Sequence, residues 1–189
     1  LGALEVVCDG VPLARDAWSS ARARELLLYL LCHPAGRRRE DIGLVFWPDA
    51  SAAQVKNSFH VLLHRLRKIL GRSDVVILDD ERYRINPALA PWFDAQVFEH
   101  EVRAARRDAA RLAAAVELYR GDLFEGGEVA GDWHFERQDR LRVMYRDALS
   151  ALADLHLAAD DASAATAVLE RLVRDDELRE DAHRRLLVC

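Results

Sequence analysis

The chain has 189 residues, of which 51% are hydrophobic and 31% charged, and its formal net charge at pH 7 is −5. This balance is typical of one or two globular domains and excludes a disordered chain. The longest strongly apolar run, Leu26 to Cys32, is far shorter than the roughly 20 residues that a membrane span requires. Cys8, Cys32 and Cys189 form no C-x-x-C spacing, so neither a zinc site nor a disulfide framework is expected. We therefore expect a cytoplasmic protein without a cofactor or a membrane partner.

The charge is distributed unevenly along the chain. Residues 1–90 contain 13 Lys and Arg against 11 Asp and Glu, whereas residues 91–189 contain 14 against 21. A mildly basic first part and an acidic second part indicate two domains. Two prolines between Asn86 and Trp92 favour a boundary there, which gives domains at 1–90 and 91–189. A negative net charge does not exclude DNA binding, because phosphates respond to the local clustering of charge.

The first 90 residues have the pattern of three helices and two hairpins. Asp9-Gly10 between short apolar runs predicts the first hairpin. Apolar residues at helical spacing predict three helices, at about residues 20–33, 40–47 and 51–71. Ser19 or Ser20 is a suitable cap for the first helix, and Ser51 for the third. Residues 75–78 and 82–85 are typical of two strands joined by the turn Asp79-Asp80-Glu81. Three helices followed by a hairpin are the order of a winged helix-turn-helix, and the extra strand pair makes this domain α+β.

The second domain is predicted to be helical throughout. Helices are expected at about residues 94–106, 109–120, 133–159, 162–174 and 178–188. Glycines at 121, 126, 127 and 131 mark a loop in its middle. Short joints such as Asp160-Asp161 suggest antiparallel helix pairs and therefore an all-α, tetratricopeptide-like repeat domain. The last helix reaches Cys189 without an evident cap, so we expect further structure beyond this sequence.

The third predicted helix is the strongest candidate for function. At about 100° per residue, its apolar residues fall on one stripe and its polar residues on the opposite face: Lys56, Asn57, His60, His64, Arg67 and Lys68. Burial of the stripe would turn this face outward. Lys and Arg neutralise phosphates or donate to guanine, and Asn can pair bidentately with adenine. Arg65, at the edge of the face, is placed for phosphate contact. A charged helix face alone is more often merely solvated, but its position before a hairpin favours DNA recognition.

Five short motifs in this order resemble those of a known family. Leu63–Leu70, Phe46–Asp49 and Arg82–Ile85 resemble the recognition helix, the "LWPD" segment and the wing strand of OmpR-type winged helices. Leu118–Leu123 and Trp133–Leu141 resemble stretches of the bacterial transcriptional activation domain. The combination is similar to regulators of the Streptomyces antibiotic regulatory protein (SARP) type.

The resemblance implies a transcription regulator without enzymatic activity. It implies binding to double-stranded DNA through the third helix, often as a homodimer on direct repeats, and contact with the RNA polymerase holoenzyme. The loop expected to meet the polymerase consists of Pro48, Asp49, Ala50 and Ser51. We therefore predict a sequence-specific DNA-binding regulator that acts as an activator by recruiting RNA polymerase.

The predicted hairpin tip departs from the pattern of a wing that enters the minor groove. Asp79, Asp80 and Glu81 make this tip acidic, and only Arg82 and Arg84 could compensate. Most base reading is therefore expected from the third helix. The acidic tip and the negative net charge also support an alternative, in which the chain is a protein-interaction module whose winged helix no longer binds DNA.

Three other patterns allow more than one interpretation. His60 and His64 have an i, i+4 spacing that can hold a metal ion, but no carboxylate or cysteine nearby completes the ligand shell, so groove-facing roles are favoured. Arg37-Arg38-Arg39 would either contact phosphates or lie in a solvated loop. A catalytic function is disfavoured because no glycine-rich phosphate loop, serine elbow or paired carboxylates stand out.

Overall fold

The computed structural model describes residues 1–18, 20–105, 107–127 and 129–187. The α-helices are α1 (Ala21–Cys32), α2 (Arg39–Phe46), α3 (Ala52–Ile69), α4 (Asp94–Ala104), α5 (Ala109–Val116), α6 (Phe135–Ala158), α7 (Ala162–Asp175) and α8 (Glu180–Leu186). The strands are β1 (Gly2–Ala3), β2 (Val7–Cys8), β3 (Val11–Pro12), β4 (Val76–Asp79), β5 (Arg82–Ile85) and β6 (Leu123–Glu125). None of the described helices has the length and apolar character needed to cross a membrane.

Backbone contacts divide the chain into two compact units, each taken over its described residues. The N-terminal unit consists of Glu5–Trp92 and Gly127–His134. The C-terminal unit consists of Leu1–Leu4, Phe93–Gly126 and Phe135–Cys189. Each unit thus includes a short segment from elsewhere in the chain, whereas the sequence alone predicted one boundary between residues 90 and 91.

The core of the N-terminal unit is formed by one face of each of its three helices. Six large core side chains from α1, α2 and α3 are at most 1% exposed: Leu26, Leu30, Ile42, Phe46, Phe59 and Leu66. Their spacing of four or seven residues within each helix is the pattern that buries a single stripe. The ring of Tyr83 on β5 packs edge-to-face on Phe59, with 4.5 Å between the ring centroids. The hairpin is thereby attached to the same core as α3.

The start of α3 is fixed by reciprocal hydrogen bonds. The Oγ of Ser51 accepts a hydrogen bond from the backbone nitrogen of Gln54, at 3.4 Å, and the Ser51 backbone nitrogen donates to Oε1 of Gln54, at 2.8 Å. This capping box satisfies two backbone donors that the first turn would otherwise leave unpaired. The predicted cap at Ser51 is confirmed. At α1 the N-cap is Ser20, without a side-chain cap bond, and the alternative cap Ser19 lies outside the described residues.

Both predicted hairpins are confirmed, and the second has an unusual turn. Strand β4 pairs antiparallel with β5, and Asp79 lies opposite Arg82. Asp80 and Glu81 are therefore the two central residues, and their φ angles of 46° and 59° are both left-handed. A two-residue turn of this kind matches the twist of the strands, and Asp is one of the residues that favour its first position, whereas the second is usually Gly. Glu81 at the second position therefore stores strain on the order of 1 kcal/mol.

The loop between α1 and α2 lies against β5. The Arg37 backbone nitrogen donates to the Tyr83 oxygen at 3.0 Å, and the Tyr83 nitrogen donates to the Arg37 oxygen at 2.8 Å. Gly36, just before this bridge, has a φ of +78°, and a Cβ there would lie 2.9 Å from the Cβ of Arg82. Glycine is therefore required for the loop to approach the strand.

A buried carboxylate ties the segment Gly127–His134 to α1. Glu25 is 4% exposed, and its Oε1 accepts a hydrogen bond of 3.2 Å from Nε1 of Trp133. The Trp133 ring also packs edge-to-face on Tyr29, with centroids 5.2 Å apart. Burial raises the pKa of Glu25 above its usual range, although the Trp133 hydrogen bond and the charge of Arg22 oppose this shift. Trp133, which lies far along the chain, is therefore packed within the N-terminal unit.

The C-terminal unit contains helices α4 to α8 and a short parallel strand pair. Leu141 and Leu149 on α6 and Leu169 and Leu172 on α7 are fully buried. The five predicted helices are confirmed, although the structure ends several of them earlier and residues 188 and 189 lie outside the described part. The prediction that this region is entirely helical is wrong at Leu123–Glu125, which pairs with β1. A strand of three residues is too short for an alternation of apolar and polar residues to be recognised in the sequence.

Candidate nucleic-acid interface

Helix α3 presents a positively charged face to solvent. Its sequence contains four Lys and Arg residues and no Asp or Glu. Its exposed side chains from residue 56 onward are Lys56, Asn57, His60, Val61, His64, Arg65 and Lys68. Six of the residues that the sequence predicted to contact DNA therefore lie on the surface of one helix.

The orientation of this face is set by the buried stripe of the same helix. Val55, Phe59, Leu62, Leu63 and Leu66 are buried in the core. At about 100° per residue, Asn57, His64 and Lys68 point directly away from this stripe. Helix α2 packs against the first turns of α3 and comes close to it at Gly43. The buried stripe and the contact with α2 together hold the polar face of α3 in a fixed direction.

Val61 is an apolar residue within the polar face, and the sequence pattern indicated no role for it. Its side chain is 51% exposed. Helical spacing from Asn57 and from Lys68 could have identified it, because positions four and seven residues apart share a face. In the major groove, the C5 methyl group of thymine is the base feature that an apolar side chain contacts. Val61 is therefore chemically suited to that contact.

Arg67 is already engaged within the protein. Its Nη2 donates a hydrogen bond of 2.8 Å to the carbonyl oxygen of Val76, at the start of β4. The side chain is half-buried rather than exposed. Arg67 thus attaches the end of α3 to the hairpin, and the structure does not bring it together with the six exposed residues.

The two hairpin arginines also have partners within the protein. Arg84 forms an ion pair with Asp79 across the hairpin. Nη1 of Arg82 donates to the carbonyl oxygen of Gly36, at 3.5 Å. At the tip, Glu81 lies 3.5 Å from Nη2 of Arg38. The acidic tip is therefore partly neutralised by Arg38 and Arg84.

The loop from Pro48 to Ser51 precedes the charged face. Pro48, Asp49 and Ser51 are exposed, and Ala50 is partly exposed. The Ala50 backbone nitrogen donates to the Trp47 oxygen at 3.1 Å, which closes a tight turn. Ser51 has the structural role of capping α3, so its side chain is less available to a partner than those of Pro48 and Asp49.

His60 and His64 are both exposed on α3. Over the described ranges of the chain, no cluster of three or more His, Cys, Asp and Glu side chains is arranged to hold a metal ion. Cys8 and Cys32 are both free thiols.

Comparisons with known proteins identify the second half of the chain. Residues 93–189, slightly more than half of the sequence, match the family model of the bacterial transcriptional activator domain. A solved structure titled "Mycobacterium tuberculosis EmbR in complex with low affinity phosphopeptide" matches with a TM-score of 0.66 and 22% sequence identity. The match covers 100% of this chain and 52% of that one, so this chain spans about half the length of that protein. No curated protein sequence matches.

The fold similarity extends over an α+β N-terminal region and a helical C-terminal region, and the family model covers the latter. The family consists of transcription regulators and not of enzymes. The chain belongs to the bacterial transcriptional activator domain family.

Proposed function

We propose that this regulator binds DNA sequence-specifically and reads the major groove with helix α3. The observation that carries the proposal is the exposed face of α3, which has cationic and amide side chains and lacks any carboxylate. The opposite stripe of the helix is buried, so the face has a fixed direction. An α-helix fits the major groove of B-DNA, and these residue types are the ones that contact phosphates and base edges there.

In this proposal the N-terminal unit is a winged helix-turn-helix of the OmpR type. Three helices followed by the β4–β5 hairpin support this assignment, as does the close approach of α2 to α3. Asn57, His64 and Lys68 are central and would reach base edges. Lys56, His60 and Arg65 flank them and would contact phosphates. Arg67, Arg82 and Arg84 are given supporting roles because each has a partner within the protein.

The remaining parts of the proposal concern partners. The exposed residues Pro48 and Asp49 precede the DNA-binding face, so the loop up to Ser51 would meet RNA polymerase while α3 occupies the groove. The acidic helical unit, with its tetratricopeptide-like helix pairs, would serve as a docking or dimerisation surface on direct repeats. The chain would then act in the cytoplasm as an activator.

The acidic hairpin tip favours a second candidate function. Asp79, Asp80 and Glu81 are exposed and would repel phosphates. A protein-interaction module that no longer binds DNA would carry such a tip without penalty. The two functions differ in how binding depends on salt, because DNA binding releases counterions and weakens steeply as salt rises.

The test is selection from a random duplex library, followed by anisotropy titration of the enriched sequence at several salt concentrations. Lys68→Ala and Asn57→Ala should weaken binding, and Lys56→Ala, at a position assigned to phosphate contact, should lower the salt slope by about 1. The matched control is Arg184→Ala, which removes an exposed positive charge from α8. Failure to enrich any sequence, or equal effects of Lys68→Ala and Arg184→Ala, would contradict the proposal.

A further inference from the structure

The C-terminal unit contains a cavity whose lining is rich in arginine and tyrosine. Its volume is about 440 Å³, within the range of roughly 300–1,000 Å³ typical of small-molecule sites. It lies between the chain that follows α5 and the helices α6 and α7. Arg120, Arg171 and Arg174 line it, together with Tyr119 and Tyr145.

One wall of the cavity is held rigidly by Arg171. Its Nε donates to the hydroxyl oxygen of Tyr145 at 2.6 Å, and its Nη2 donates to the carbonyl oxygen of Val116 at 3.2 Å. Its guanidinium also lies over the Tyr145 ring, 5.4 Å from the centroid. The rings of Tyr119 and Tyr145 are stacked with centroids 4.2 Å apart. The cavity is therefore preformed rather than dependent on a ligand for its shape.

The two acidic residues of the lining are already paired with arginines. Glu117 forms an ion pair with Arg171. Asp175 lies 2.7 Å from Nε of Arg146. Glu117 is thus neutralised by Arg171, whereas Arg146 divides its single charge between Asp175 and Asp176, which lies 2.9 Å from its Nη1. With three arginines and two carboxylates, the lining keeps a net positive charge.

Arg120 and Arg174 form no ion pair with any residue that the structure describes. Both side chains are exposed at the cavity. Two guanidinium groups that line one cavity and form no ion pair of their own attract an anion, and guanidinium binds oxyanions through two parallel hydrogen bonds. A phosphate group carries between about −1.5 and −2 charges at pH 7. Its charge therefore balances two guanidinium groups more closely than the single charge of a carboxylate would.

We propose that this cavity binds a small phosphate-bearing molecule through Arg120 and Arg174. Arg171, with the two stacked tyrosines, shapes the wall and does not supply the primary charge. The lining residues belong to the C-terminal unit and include none from α3, so the proposal does not depend on DNA binding by α3. A regulator with such a site has a second binding function, directed at a small anion.

The test uses inorganic phosphate and pyrophosphate as probes, titrated calorimetrically into the whole chain. Arg120→Gln and Arg174→Gln should each weaken binding about tenfold, as expected when a hydrogen bond to a charged group is lost. Both side chains are exposed, so the variants should keep their folded state, which circular dichroism will verify. Arg184→Gln removes a charge from the same unit and should leave the affinity unchanged.

Further arms separate this site from other sources of anion binding. Lys68→Gln should leave the affinity for phosphate unchanged. A weaker affinity in this variant would mean that phosphate binds to the α3 face instead of the cavity. Glucose 6-phosphate should bind and glucose should not, which distinguishes a phosphate-bearing metabolite from a sugar site. Succinate should not compete; equal binding of succinate would overturn the assignment to phosphate. Absence of saturable binding at millimolar probe, or binding indifferent to Arg120→Gln and Arg174→Gln, would overturn the site itself.

Discussion

A Cβ atom placed on Gly43 would lie 2.7 Å from Cγ1 of Val55, so α2 and α3 approach each other without room for a side chain between them. Real Cβ atoms do not come this close to a neighbouring carbon. The pair therefore fixes the direction of α3 and, with it, the direction of the charged face.

Gly43→Ala should destabilise the protein by about 1–3 kcal/mol, because an overpacked contact forces side chains or backbone to shift. In a Val55→Ala background the clash is removed, and the same substitution should become neutral or stabilising by about 1 kcal/mol, since alanine favours a helix over glycine. Urea denaturation of the four proteins in this cycle measures both values. An equal penalty in both backgrounds would rule out the proposed contact.

Arg67→Ala and Lys68→Ala should have different effects, although the two residues are neighbours. Loss of the hydrogen bond from Arg67 to the Val76 oxygen should lower the free energy of unfolding by about 1–3 kcal/mol. Lys68 is exposed, so its removal should leave stability unchanged and weaken DNA binding. Denaturation and anisotropy on the same samples separate the two. If Arg67→Ala left the free energy of unfolding unchanged, the hydrogen bond to the Val76 oxygen would not contribute to stability.

Glu81→Gly should stabilise the hairpin by about 1 kcal/mol, because glycine adopts the left-handed conformation of this turn without a Cβ penalty. The matched control is Glu81→Ala, which also removes the charge and the ion pair with Arg38 but keeps the Cβ. Only the glycine variant should therefore unfold at a higher temperature than the wild type. If the hairpin tip faces DNA, both variants should bind DNA more tightly at low salt, by similar factors.

Glu25→Gln should change how stability depends on pH. Burial raises the pKa of Glu25 in the folded protein, so the folded state holds this proton more tightly than the unfolded state does. Wild-type stability at this site is therefore full below the unfolded pKa and falls as pH rises towards the folded pKa. The glutamine side chain does not titrate, so the variant should gain stability relative to wild type across that window, with no further gain above it.

Denaturation at a series of pH values measures this effect, and Glu40→Gln provides a control of opposite sign. The pKa of Glu40 is lowered, first by a hydrogen bond to its own backbone and then by Arg39. Its carboxylate therefore contributes stability that is lost as pH falls, and the variant should lose stability relative to wild type as pH rises. Parallel trends in the two variants would contradict the assignment of Glu25.

Val61→Ala should reduce discrimination between thymine and deoxyuridine in the selected DNA sequence. Deoxyuridine lacks only the C5 methyl group, and one buried methylene-sized contact is worth about 0.8 kcal/mol. With wild-type protein, replacing the contacted thymine should weaken binding by that amount; with the variant the replacement should have no effect. A wild-type protein indifferent to every thymine-to-deoxyuridine exchange would exclude the contact.

The sequence was most informative where the evidence is local. The residues of the α3 stripe recur at helical spacing along one segment, and Ser51 and Gln54 lie within one helical turn, so the helix, its cap and its exposed face could all be predicted. The hydrogen bond from Arg67 could not, because it depends on where β4 runs relative to the helix. Val61 could not be recognised for a different reason: it is apolar but lies on the polar face, so a division of the helix into polar and apolar residues does not include it in that face.

Contacts between distant parts of the chain were also beyond the sequence. Trp133 donates to a carboxylate 108 residues earlier, and no periodic pattern connects the two. The loop around residues 121–131 was recognised from its glycines, but the strand Leu123–Glu125 within it depends on a partner at the opposite end of the chain.

The inclusion of Gly127–His134 in the N-terminal unit has a consequence for synthesis on the ribosome. Domains generally fold from the N-terminus as they emerge, at about 5–20 residues per second. Helices α1 to α3 leave the ribosome first, yet Glu25 lacks its indole donor, and Tyr29 its Trp133 neighbour, until residue 133 has also emerged. The nascent unit must therefore wait several seconds with an incompletely covered α1, and a fragment ending at Trp92 would remain permanently in that state.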